Sequence, residues 1–164
     1  MTTREGSSPL ERFAADEYRA VVAAVARITG DHRDAADAVH DAVLTLLETP
    51  PRLPVDNVAA WITVVAANRA RDRQRRRRAE SRALSRVGLL AVAPEMPLID
   101  ADVSAAINAL PRRQREICIL HYLFDESIES IASRLGVTGG AVKTHLFRGR
   151  RALAARLAPV PAAA

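Results

Sequence analysis

The chain has 164 residues, is 49% hydrophobic but only 4% aromatic, and carries a formal net charge of +5. That length suits one compact domain or two small ones, with cores built from Ala, Val, Leu and Ile. No apolar run reaches the roughly 18 residues of a membrane span, "MTTREGSSPLERF" lacks the apolar stretch of a signal peptide, and the lone Cys118 offers neither an internal disulfide nor a cysteine pair for a metal; a cytoplasmic protein is expected.

Strand signals are nearly absent, and apolar residues recur at helical spacing from one end of the chain to the other. The first segment, "LERFAADEYRAVVAAVARITGD", puts Phe13, Tyr18, Val21, Val22, Val25 and Ile28 on one broad stripe and ends at Gly30. The next, "DHRDAADAVHDAVLTLLE", is expected to turn Ala36, Val39, Val43, Leu46 and Leu47 inward and Asp34, Asp37, His40 and Asp41 outward. An outward Asp/His/Asp group can signal a metal, but no further ligand stands at helical spacing, and a solvated face is the commoner origin; no metal site is assigned.

"TPPRLPVD" breaks the helix, because its prolines remove backbone donors. A third helix starts near Asp56 or Asn57, capped by one of them. It runs through an inward Trp61 into a dense arginine run. Trp61, Val65, Asn68 and Asp72 fall on one line of this helix, spaced four, three and four. Residues 83–99 lose periodicity around a glycine and two prolines and read as a linker.

From residue 100 the sequence parses into four helices, with breaks at Leu110-Pro111, Phe124-Asp125-Glu126 and Gly136. The last two helices form a helix-turn-helix pattern. Ile128, Ile131, Ala132 and Leu135 face inward, Gly136 permits the left-handed residue that ends the first helix, and Thr138 caps the second. Val142, Leu146, Gly149 and Leu153 make its buried seam, where the glycine lets two backbones approach. Its outward face holds Lys143, Thr144, Phe147 and Arg148, followed by Arg150 and Arg151. A major groove admits such a helix and exposes base edges to its N-terminal residues. Gly139 and Gly140 either allow the backbone close to a phosphate or simply extend the turn.

Charge follows the same division. Residues 1–66 hold six basic and ten acidic side chains, and residues 69–86 hold nine basic and two acidic. Residues 100–133 hold three basic and six acidic, and residues 134–156 hold six basic and no acidic ones. Two cationic stripes of this size point to two contacts on one long polyanion. The expected architecture is all-α: a helical domain over 10–82, a linker over 83–99, a second helical domain over 100–157 and a tail over 158–164.

"INALPRRQREICILHYLFDESIESIASRLGVTGGAVKTHLFRGRRAL" resembles region four of bacterial RNA polymerase sigma factors of the extracytoplasmic-function (ECF) group, within the sigma-70 superfamily. "DAADAVHDAVLTLL" with "AAWITVVAANRARDRQRRR" resembles their region two, including the "W…N…D" pattern at Trp61, Asn68 and Asp72. The resemblance implies a non-enzymatic promoter-recognition subunit that binds core RNA polymerase.

By that resemblance, Asp34, Asp37, His40 and Asp41 dock on the clamp coiled coil, with His40 standing where the family usually carries Gln. Asn68, Arg69, Arg71, Asp72, Arg73, Arg75 and Arg76 lie at the −10 element. An alternative role for Asn68 and Asp72 is to orient neighbouring arginines, and Arg77 and Arg78 are read as solvated. Asn57 is the candidate base contact in the loop before Trp61, a loop with no aromatic of its own. Gly140, Lys143, Thr144, Phe147, Arg148 and Arg151 are assigned to the −35 element. Arg112 and Arg113 reach phosphates or the polymerase flap, or solvate a helix start. Promoter DNA, core polymerase and an anti-sigma factor are the implied partners, with no cofactor and no small-molecule substrate. The rival reading is a dimeric helix-turn-helix regulator on a palindrome. An enzyme acting on nucleic acid would need a nucleophile, a metal cluster or paired carboxylates near the basic stripes, and the sequence shows no such constellation.

Overall fold

A computed structural model of the chain describes residues 12–51, 55–81 and 100–158. The linker expected over 83–99 and the tail from residue 159 onward lie outside the described residues. Every regular element among those described is helical, and the backbone divides into two compact units, residues 1–97 and 98–164. None of these helices is long and apolar enough to cross a membrane.

In the first unit a π-helical turn, Phe13–Glu17, leads into α1 (Tyr18–Thr29), followed by α2 (Ala35–Glu48) and α3 (Val58–Ser81). Gly30 closes α1 in the left-handed region at φ +71°, its N–H reaching Ala26 O at 2.9 Å. Asn57 starts α3: its Oδ1 accepts the Ala60 N–H at 3.0 Å, which satisfies one of the donors a helix start leaves open.

The core joins Phe13, Val21, Val25 and Ile28 to Ala35, Ala38, Val39 and Ala42 of α2, and to Ala59, Ala60, Ile62, Ala66, Ala67 and Ala70 of α3. This corrects the expected inner face of α2. Ala36 is exposed and Leu47 is 58% exposed. The reason is size: α3 presents a surface made largely of alanine, and the alanine stripe of α2 brings the helices closest together, leaving the bulky leucines outside. Trp61 is likewise only half-buried; its line continues through exposed Asn68 and Asp72, so it belongs to the outer flank of α3 and not to the core.

The second unit contains α4 (Ala101–Asn108), α5 (Arg112–Leu123), α6 (Ile128–Leu135) and α7 (Gly139–Leu157). Side-chain caps start three of them. Asp100 accepts from Asp102 N–H at 2.8 Å, Ser127 from Ser130 N–H at 3.0 Å, and Thr138 from Ala141 N–H at 3.2 Å. Gly136, at φ +63°, ends α6, and the following Val137 N–H donates to Ala132 O at 3.0 Å. The centre is packed with Leu110, Ile117, Cys118, Ile119, Leu120, Ile131, Val142 and Leu146.

Candidate nucleic-acid interface

In the second unit α7 is held from below. Val142, Leu146 and Gly149 are buried, and Lys143, Thr144, Phe147, Arg148, Arg150 and Arg151 are exposed. Phe147 is 59% exposed, an apolar ring among cations. The Thr144 hydroxyl donates to Gly140 O at 2.9 Å, leaving its oxygen lone pairs and methyl to meet a partner. A Cβ on Gly139 would lie 3.7 Å from the Ile128 side chain, and one on Gly140 would lie 4.0 Å from Thr138 Oγ1. Neither glycine is required by packing inside the unit. Gly149 is: a Cβ there would stand 2.5 Å from Cys118 Sγ, so the close approach is to a thiol, where two backbones had been expected. Burial pushes that thiol up to about 11, against an opposing pull from Arg150.

The turn between α6 and α7 is braced by buried charge to which the sequence assigned no role. Glu126 is 4% exposed and takes Arg134 Nε at 2.8 Å and NH2 at 3.2 Å. Glu116, 1% exposed, accepts from Arg113 at 2.9 Å, and the same arginine donates to Leu135 O at 3.3 Å, the carbonyl at the end of α6. Arg113 therefore works inside the unit, whereas Arg112 is exposed. His121 Nδ1 lies 2.8 Å from Glu126 O, fixing the chain where Asp125 turns at φ +52°. The available signal was the i,i+3 spacing of Arg113 and Glu116 beside the apolar "ICIL" run.

In the first unit the arginines of α3 separate into two groups. Arg69 donates to Thr45 Oγ1 at 2.5 Å, Arg73 pairs with Asp41, and Arg77 pairs with Asp31 at 2.8 Å and with Asp34. Arg77 is exposed, as its reading as solvated surface expected, and also pairs across the α1–α2 corner. Gln74 extends the same seam to Thr29 O at 3.3 Å. On the other side, Arg71 donates to Asn68 Oδ1 at 3.1 Å and Arg75 pairs with Asp72; Arg76 and Arg78 are exposed. Asn68 and Asp72 do orient neighbouring arginines.

The four residues expected at the polymerase divide as well. Asp37 and His40 are exposed, while Asp34 and Asp41 are engaged by α3. Leu44, 40% exposed, and Leu47 continue the line from Asp37 and His40 at spacings of four and three, adding an apolar end that the expected inward placement had hidden. Asn57 uses its side-chain oxygen as the α3 cap.

A family model described as Sigma-70 region 2 matches residues 13–80, and one described as Sigma-70, region 4 matches residues 100–153. The ECF RNA polymerase sigma factor SigE of Mycolicibacterium smegmatis is 29% identical over 136 residues, covering 77% of this chain and 53% of that protein. The chain thus spans about half the length of this curated relative. A chain in the co-crystal structure of the sigma factor RpoE in complex with the anti-sigma factor NepR from Bartonella quintana is similar to this one with a TM-score of 0.68. The two are 25% identical, and the match covers 85% of this chain and 91% of that one.

Proposed function

The chain belongs to the sigma-70 family, in its extracytoplasmic-function group, and from this premise we propose that it binds core RNA polymerase and directs it to promoters, with no catalysis of its own. One observation carries the reading: two separately packed helical units each carry a cationic helix face. In the first unit that face runs through half-buried Arg71 and exposed Arg75, beside Asn68 and Asp72; in the second it runs through exposed Lys143, Arg148 and Arg151.

The second unit reads the upstream element. Lys143 and Arg148 carry donors suited to guanine O6 and N7 or to phosphates, and Phe147 offers apolar contact to a thymine methyl. Arg151 and the helix start at Gly140 approach the backbone, where anions are favoured by the open N–H groups. The first unit holds the −10 element, with Arg71, Arg75 and Arg76 neutralising phosphates and half-buried Trp61 on the same helix. Asp37 and His40 with Leu44 and Leu47 form the polymerase-facing strip on α2. An anti-sigma protein is a further partner in this reading, since the similar sigma factor RpoE forms a complex with the anti-sigma factor NepR. A dimeric regulator reading leaves the region-2 match over residues 13–80 without a role.

The test is reconstitution. Core polymerase plus this protein, run on a broad library of two-element promoters, is expected to initiate from a subset that core alone ignores. No initiation from any member would refute the reading.

A further inference from the structure

Arg69, Arg71, Arg73, Arg75 and Arg76 of α3 are the candidates for promoter phosphates, and the interhelical seam divides them. At about 100° of rotation per residue, Arg69, Arg73 and Arg77 fall on one row, four residues apart. Arg71, Arg75 and Arg78 fall on another, about 160° away around the helix. The first row meets α2 and the α1–α2 corner: Arg69 meets Thr45, Arg73 meets Asp41, and Arg77 meets Asp31 and Asp34. The Asp31 and Asp34 side chains are well covered, at 17% and 16% exposed, and that of Asp41 is 34% exposed. In the second row, Arg71 donates to Asn68 and Arg75 pairs with Asp72, both side chains of α3 itself.

We propose that Arg69, Arg73 and Arg77 are positioning residues and not promoter ligands. They form a ladder that locks α2 onto α3 and so sets where the Asp37–His40–Leu44–Leu47 strip stands relative to the DNA-facing row. This deepens the sigma-factor reading and rests on it for the meaning of the two faces. The apolar contact between α2 and α3 is made largely of alanines, which define distance well but rotation and sliding poorly. Four polar contacts, made by three arginines spread over two turns of α3, supply the missing register. A phosphate approaching this row would have to displace a carboxylate already seated against each of Arg73 and Arg77 and held on another element of the unit.

The experiment uses the full-length chain and a DNA duplex of arbitrary sequence, and reads the slope of log affinity against log salt. Each phosphate contact contributes roughly 0.9 to that slope on duplex DNA. Arg71→Ala is expected to lower it by about that amount. The charge swap Asp41→Arg with Arg73→Asp moves the positive charge from α3 to α2 at constant net charge, and is expected to keep the wild-type slope. The single variants Asp41→Arg and Arg73→Asp are expected to lower the melting temperature and weaken core polymerase binding, with the swap recovering most of both. A swap that loses slope as Arg71→Ala does would overturn the proposal, and so would single variants that melt like wild type. The DNA and melting measurements require no polymerase. Failure of the wild-type chain to bind core would therefore count against the sigma reading alone.

Discussion

Gly149 of α7 faces Cys118 of α5 so closely that a β-carbon on the glycine would stand 2.5 Å from the sulfur. Helix α7 is thus seated on its neighbour through the smallest residue available. Gly149→Ala gains about 1 kcal/mol of helix propensity but forces the buried thiol to move, and overpacking of this kind costs about 1–3 kcal/mol. The single variant should therefore be neutral to about 2 kcal/mol less stable. Removing the sulfur as well, in Gly149→Ala with Cys118→Ala, should recover the propensity gain. Chemical denaturation of the four species of this cycle checks it; additive effects would mean the two residues are not in contact.

The same burial makes the thiol a pH probe. An ordinary thiol titrates near 9, and burial holds Cys118 up at about 11. Because the folded state disfavours the thiolate, this contribution to stability is intact below pH 9 and is lost as pH rises from there towards 11. Iodoacetamide labelling of the native protein at pH 9 should be far slower than in denaturant, and Cys118→Ala should flatten that part of the stability–pH curve.

Arg134 and Glu126 make the costliest pair to break. With Glu126 4% exposed, Arg134→Ala leaves a carboxylate buried without its counterion, and loss of one partner of a buried pair typically costs about 3–5 kcal/mol. Thermal melting should show the second unit destabilised, while the double variant Arg134→Met with Glu126→Leu recovers most of the loss.

The exposed strip on α2 should be separable from folding. Asp37→Lys and Leu47→Asp alter side chains that the unit leaves uncovered, so melting should stay near wild type. Each should weaken core polymerase binding about tenfold, or roughly 1.4 kcal/mol, measured by fluorescence anisotropy with labelled protein. Equal losses in DNA binding by the same variants would indicate damage to the fold in place of a lost contact.

On α7, Arg148→Ala should weaken upstream-element recognition by about 1–3 kcal/mol and relax preference at one base pair, as expected for a base contact. Arg151→Ala should weaken binding evenly across sequences and reduce the salt slope by about one. Competition binding on a library of upstream elements distinguishes the two.

Helical character, the glycine stop at Gly136, the Thr138 cap and the outward cationic face of α7 were all legible in the sequence, because each depends on residues within a turn or two of one another. Periodicity carries that information directly, and capping chemistry is local. The division of roles among the α3 arginines was not legible. Arg73 and Asp41 are 32 residues apart, and Arg77 and Asp31 are 46 apart. Nothing in either neighbourhood says which carboxylate will neutralise which guanidinium. That was decided when two alanine-rich surfaces packed, because close approach rotated α2 by one residue from its expected stripe, leaving Leu47 outside and drawing Asp34 and Asp41 towards α3. Local spacing determines which face of a helix is apolar. Which charges cancel and which stay open to a partner is determined only by how two such faces meet.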